Sequence, residues 1–201
     1  MQIATLHDLM LHELRDIYSA EQQLVKALPG MSKAATSEEL QNALKSHLAQ
    51  TEQHVSRLEQ VFEILGESPR GVKCKGMEGL ITEGKGLLDE DIDPEVLDAG
   101  IIAAAQRVEH YEIAAYGTVC EFARSMDHSE VVALLGATLA EEKEADDILT
   151  GLAEGGINAL AARDDQDEMG SDDDNDAAVP SQKRSSRTPA ADRPNSGSRR
   201  R

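Results

Sequence analysis

Residues 101–120 read IIAAAQRVEHYEIAAYGTVC, and this stretch decides the fold. Its apolar residues recur at the spacing of an amphipathic helix. At about 100° per residue, Glu109, Glu112 and Tyr116 fall inside the same apolar stripe. A carboxylate on the inner face of a helix is costly unless it is paired or binds a cation. The stretch therefore predicts a buried helix whose two acids serve a site.

Three further segments share this helical period, two before this stretch and one after it. Each begins at a helix N-cap signal, and glycines close two of them. The four predicted helices run from Thr5 to about Leu28, from Thr36 to Gly66, from Asp93 to about Met126, and from Ser129 to Gly155. In the first helix, Pro29 either ends the helix or kinks it.

The connections between these helices predict the topology. The first and third links are short, so each joins an antiparallel pair of helices. The second link, residues 67–93, is too long to be structureless in a compact domain, and Met77–Leu88 is predicted to form a short helix within it. Two hairpins joined by one long crossover indicate an all-α, ferritin-like four-helix bundle.

This bundle is predicted to occupy residues 1–162, and the remainder has a different composition. Residues 163–201 contain an acidic run followed by a basic run, with almost no large apolar residues, and are predicted to be a disordered tail. The net charge of −18 argues against nucleic-acid binding by the bundle, so we expect at most weak binding through the basic tail. The chain starts without a signal-peptide pattern and carries no apolar run of membrane-spanning length, which predicts a cytoplasmic protein without a membrane partner.

All four predicted helices carry polar groups on their inner stripes, at similar depth. If the helix ends are roughly aligned, these groups meet in one layer, where carboxylates would repel one another. Two divalent ions would balance the charge, and Glu and His are the usual ligands of such sites in helical bundles. The candidate ligands are Glu21, His47, His54, Glu109, Glu112, Glu142 and Asp146.

A metal-free polar layer is the alternative. In that case the carboxyl groups would be protonated, or bonded to Tyr18, Tyr116 and the histidines. Lys and Arg do not fall on the inner stripes of the four predicted helices, so pairing with a basic residue does not explain the layer.

Several motifs resemble the YciF-type ferritin-like proteins, a family similar in fold to rubrerythrins and manganese catalases. The motifs are YSAEQQL at 18–24, HLAQT at 47–51, RLEQVF at 57–62, MEGLI at 77–81, VEHYEIAAYG at 108–117 and LAEEK at 139–143. They occur in order and span about residues 3–155. The resemblance implies a helical homodimer with a two-metal site and a stress-associated role. It also implies that Glu21, Glu109, Glu112 and Glu142 are ligands.

Two positions depart from the wider ferritin-like pattern, which has Glu-x-x-His on the second and fourth helices. On the second helix Thr51 stands at the Glu position, and His54 is retained. On the fourth helix Ala145 stands at the His position, so Asp146 is predicted to substitute as the ligand.

Two functions remain open at this point. The first is a stress-associated dimetal protein that uses Fe or Mn to handle peroxide or oxygen, as a peroxidase, catalase or ferroxidase does. The second is a metal-free helical scaffold or binding protein of the stress response, whose tail contacts partners or nucleic acid.

Overall fold

The computed structural model describes residues 3–163, and six α-helices account for most of them. The helices are α1 (Leu6–Ala34), α2 (Glu38–Leu65), α3 (Lys75–Leu88), α4 (Pro94–Ser125), α5 (Ser129–Leu152) and α6 (Asn158–Ala161). A short π-helical segment, Ala153–Ile157, connects α5 to α6. Residues 3–163 contain no β-strand, which confirms the all-α prediction. The predicted tail lies outside the described residues from residue 164 onwards.

Side-chain caps explain where the long helices begin. The Thr5 hydroxyl accepts a hydrogen bond from the Asp8 N–H, and the Asp8 carboxylate accepts one from the Thr5 N–H, so both ends of a capping box are present. Asp93 caps α4, with Pro94 in the first turn. For α2 the cap is Ser37, one residue later than predicted, and its hydroxyl accepts from the Leu40 N–H.

The helices form two antiparallel hairpins joined by the crossover. α1 pairs with α2 and α4 pairs with α5, while α1 also contacts α4 and α2 contacts α5. The crossover helix α3, predicted at Met77–Leu88, packs on α1 and α4. This connectivity is that of a ferritin-like bundle, as predicted.

The core consists of two apolar clusters with a polar layer between them. One cluster includes Leu24, Leu28, Leu44, Ile101, Val108 and Leu149. The other includes Leu14, Ile17, Leu58, Tyr116, Val119 and Leu135. Each of the helices α1, α2, α4 and α5 contributes residues to both clusters. The middle of each helix therefore passes through the polar layer that separates the two clusters.

The structure defines two helix ends that the sequence left approximate. Pro29 lies inside α1, which continues to Ala34, so of the two predicted outcomes Pro29 does not end the helix. α5 ends at Leu152, three residues before the predicted end at Gly155, and the chain continues through the π-helical segment into α6. Gly156 has φ 154°, a conformation that side-chain-bearing residues rarely adopt. Among residues 3–163, every helix is either too short or too polar to cross a lipid bilayer.

Asp98 fastens α4 to the start of α2. Its carboxylate is 4% exposed and accepts three hydrogen bonds of 2.7 Å, from the Thr36 N–H, the Thr36 hydroxyl and the Ser37 N–H. These donors would otherwise be left without partners at a helix N-terminus. The contact fixes the two hairpins relative to each other at one end of the bundle.

We expect Asp98→Ala to lower the free energy of unfolding by about 3 kcal/mol, because it leaves buried donors without an acceptor. Urea unfolding followed by circular dichroism measures the change. The exposed Asp91→Ala on the crossover is the control and should change stability by less than about 0.5 kcal/mol. Equal effects of the two substitutions would mean that Asp98 does not join the hairpins.

Candidate metal centre

Four helices bring six polar side chains together in the layer between the two apolar clusters. The side chains form two groups that share Glu142: His47, Glu109, Glu112 and Glu142 in the first, and Glu21, His54 and Glu142 in the second. Within each group, one ligand atom per residue lies within 4.8 Å of every other. Ligand oxygens and nitrogens stand about 2.1 Å from a divalent metal ion, so opposite ligands are about 4.2 Å apart. The spacing therefore fits one ion per group, and Glu142 is common to both groups.

Many of these buried atoms lack an ordinary hydrogen-bond partner. Within residues 3–163, neither oxygen of Glu112 or Glu142 and neither ring nitrogen of His47 makes a hydrogen bond. His47 Nε2 lies 3.2 Å from Glu109 Oε1, but without hydrogen-bond geometry. Buried polar groups are normally bonded, because an unbonded one costs free energy. Buried atoms that converge with so few hydrogen bonds form a donor set that a cation would complete, and the closest contact within it is the ion pair of His54 Nδ1 with Glu142 Oε1.

His54 is oriented by a chain of charged groups behind it. Its Nε2 lies 2.8 Å from Glu141 Oε2, and Arg57 Nη2 donates to Glu141 Oε1 over 2.8 Å. Arg57 also donates to the Thr138 hydroxyl. With Nε2 occupied in this way, Nδ1 faces inward, 2.9 Å from Glu142 Oε1 and 3.5 Å from Glu21 Oε1. A carboxylate on the far nitrogen of a histidine is the usual support of a metal ligand.

Two uncharged groups complete the layer. The buried Tyr116 hydroxyl donates to Glu21 Oε1, which fixes this carboxylate and leaves its second oxygen without a partner among the described residues. Thr51 is fully buried, and its hydroxyl donates to the backbone carbonyl of His47 rather than into the layer. Thr51 therefore does not replace the carboxylate that ferritin-like proteins usually carry at this position.

Burial and crowding change the proton affinity of the layer. Burial raises the pKa of Glu109 and Glu112 well above their usual range, and the neighbouring carboxylates raise it further. Burial would lower the pKa of His54, but Glu142 and Glu21 outweigh it and raise the pKa to about 10. Burial lowers the pKa of His47. The layer without a metal therefore holds extra protons, which metal binding would displace.

Six of the seven predicted ligands lie in the two groups, and Asp146 lies outside both. Asp146 is one helical turn beyond Glu142 and turned about 40° around α5. Its carboxylate faces α4, where His110 Nε2 lies 3.3 Å from Oδ2 and Gln106 donates to Oδ1. Ala145 stands at the histidine position of the ferritin-like pattern, and Asp146 does not take over the place of that histidine in either group. The first group instead contains a histidine from the facing helix α2, His47. Metal binding by the six residues stays a prediction.

The support that Glu141 and Arg57 give to His54 was not predicted from the sequence. Both residues lie beside the inner stripes, where a charge is ordinarily solvated. The available signal was their spacing: Glu141 precedes Glu142, and Arg57 follows His54 by three residues, on the neighbouring row of α2. Seen together across two helices, these spacings indicate an ion pair next to the site.

Comparisons with known proteins agree with the fold. The family model described as Domain of unknown function (DUF892) matches residues 5–162. Protein YciF of Escherichia coli strain K12 is 41% identical over 162 residues, which are 80% of this chain and 98% of that protein. The crystal structure of the E. coli stress protein YciF aligns with a TM-score of 0.75 over 78% of this chain and 99% of that one. The structure of YcfI from Rhodopseudomonas palustris aligns with a TM-score of 0.73 at 49% identity, over 74% and 95% of the two chains.

We expect metal to stabilise the protein more strongly as the pH rises. Without metal, the folded state binds more protons than the unfolded state wherever the pKa of Glu109, Glu112 and His54 is raised, so stability falls between about pH 5.5 and 8. Ligand deprotonation favours metal over the same range. Thermal melting in EDTA and in excess Mn²⁺ at both pH values measures the difference. A metal-free protein that gains stability with pH would contradict the assignment of protons to this layer.

Proposed function

The chain belongs to the DUF892 family of YciF-type ferritin-like proteins, and from this premise we propose that it is a stress-associated dimetal protein. Two Fe or Mn ions would be held in the bundle core, where they handle peroxide or oxygen. The observation that carries the proposal is the convergence of six buried ligand side chains, each with at least one nitrogen or oxygen atom that makes no hydrogen bond within residues 3–163. The E. coli relative YciF is a stress protein, which supports the biological role.

The residues divide into two ion positions. His47, Glu109 and Glu112 would hold the first ion, and Glu21 with His54 Nδ1 would hold the second. Glu142 would bridge them. The six residues carry four carboxylates and two imidazoles, and four negative charges match two divalent cations. A metal-free scaffold would lack the cations that balance these four negative charges.

Bound Fe or Mn would supply the redox chemistry, which for reduction of hydrogen peroxide to two waters means two electrons, taken up together with two protons. The protein's own residues hold the ligand side chains and orient them. Glu141 and Arg57 fix the ring of His54, and Tyr116 fixes the carboxylate of Glu21. The two apolar clusters cover the layer on either side along the bundle.

Addition of Fe²⁺ to the metal-free protein should produce a near-ultraviolet absorption band and consumption of hydrogen peroxide. We expect Glu21→Ala and Glu142→Ala to lose both, with a fall in rate greater than the about 10–100-fold that loss of a supporting partner costs. Glu63→Ala, an exposed position on α2, is the control and should behave as the unmodified protein does.

Unchanged peroxide consumption in Glu21→Ala and Glu142→Ala would contradict the dimetal function. Absence of metal binding by the unmodified protein would favour the scaffold instead. The two results are distinct: unchanged peroxide consumption in the variants would mean that metal binds elsewhere on the protein, whereas the second result would mean that no metal binds.

A further inference from the structure

A cavity of about 150 Å³ lies between α2 and α5, on the side of the bundle where the two hairpins meet. Its inner end is formed by His47 and Glu109, which belong to the first group of ligands. Its outer end is formed by exposed residues of both helices, Ser46, Glu144 and Ile148. We refer to it as the α2–α5 cavity. It connects the protein surface with one end of the polar layer.

The exposure of the six ligand side chains follows the position of this cavity. His47 has the largest exposed fraction, 7%, and Glu109 is 2% exposed, while Glu21, His54 and Glu142 are each 0% exposed. The second ion position is thus enclosed by protein, with Tyr116 bonded to Glu21 beside it. The first ion position is the one that a molecule entering from solvent would meet.

The shape of the α2–α5 cavity results from small side chains on facing helices. Ala43 on α2 and Ala145 on α5 both line it, and alanines leave space where larger residues would close the gap between two packed helices. Ala145 stands at the position where the wider ferritin-like pattern has a histidine. The absence of that imidazole therefore leaves room beside Glu109.

The lining of the cavity limits what can enter. Leu44, Leu149 and Ile148 make its walls largely apolar, and Glu144 stands at its outer end. The acidic rim and the net charge of −18 repel anions and attract cations. A volume of about 150 Å³ is roughly ten times the ~10–15 Å³ that one water needs, so the cavity has room for a small molecule.

We propose that the α2–α5 cavity is the entrance to the metal centre, which admits metal cations and small uncharged peroxides to the ion position formed by His47 and Glu109. The substrate class is small uncharged peroxides such as hydrogen peroxide, in preference to anionic peroxides. This inference rests on the proposed function, because it assigns the route to the same site. It also makes the two ion positions unequal, since only the first faces the entrance.

Three variants of α5 test the entrance. Ala145→Leu fills the cavity, Ile148→Ala widens its outer end, and the exposed Ala140→Leu adds the same side chain outside the cavity as a matched control. The probe is Co²⁺ alone, whose visible absorption reports entry into His and Glu ligation in a stopped-flow instrument. We expect Ala145→Leu to slow uptake about tenfold at unchanged final absorbance, which corresponds to a barrier raised by about 1.4 kcal/mol. Ile148→Ala should speed uptake, and Ala140→Leu should leave it unchanged.

The second measurement follows consumption of hydrogen peroxide by the iron-loaded protein. Ala145→Leu should slow consumption about tenfold, which corresponds to a barrier raised by about 1.4 kcal/mol, and Ala140→Leu should leave it unchanged. Ile148→Ala should speed consumption, because it enlarges the outer end of the cavity. Unchanged consumption by folded, iron-loaded Ala145→Leu would overturn the assignment of the cavity as the passage for the peroxide.

The failures of the two proposals are distinguishable. If the unmodified protein takes up no Co²⁺, the dimetal function fails and the entrance fails with it. If Co²⁺ binds, but Ala145→Leu, shown by circular dichroism to be folded, takes it up at the unmodified rate, the entrance alone is overturned. If Ala145→Leu does not fold, Ile148→Ala decides: uptake no faster than in Ala140→Leu overturns the entrance.

Discussion

Mutual repulsion among four buried carboxylates is the constraint on which the rest of this structure depends. Glu21, Glu109, Glu112 and Glu142 lie in one layer, in groups whose ligand atoms are within 4.8 Å of one another. At that separation two unit charges repel by about 3 kcal/mol even at an effective dielectric constant of about 20. Protons on the acids relieve this repulsion, and two divalent cations would relieve it further. The two apolar clusters that flank the layer supply the burial that keeps the helices together around it.

The supporting contacts follow from the same constraint. A ligand atom can point at a metal ion only if its side chain is held in one orientation. The contacts that hold His54 and Glu21 come from two different pairs of helices. Arg57 and Glu141 hold His54 across α2 and α5, while Tyr116 holds Glu21 across α4 and α1. At one end of the bundle, Asp98 holds the start of α2 against α4. The geometry of the layer is therefore set by contacts between hairpins, not within them.

The sequence predicted the helices and the depth of the polar layer, because both depend on local periodicity. Glu21, Glu109, Glu112 and Glu142 could be placed on inner stripes from the 3.6-residue period alone. Asp146 could not, since a 40° turn around α5 decides whether it faces the layer or Gln106 and His110 on α4. The Arg57–Glu141 pair and the α2–α5 cavity depend on which faces of two distant helices meet, and that information is absent from either helix by itself. The family resemblance supplied the expected ligands but not the consequence of having Ala145 in place of histidine.

Metal content tests the central claim most directly. The protein should be expressed without a histidine tag, stripped with a chelator, loaded with Fe²⁺ or Mn²⁺, and assayed by elemental analysis after removal of excess ion. A bundle core with two ion positions predicts about two tightly bound ions per chain. A content near zero would contradict this account, and would mean that the buried acids are held by protons alone.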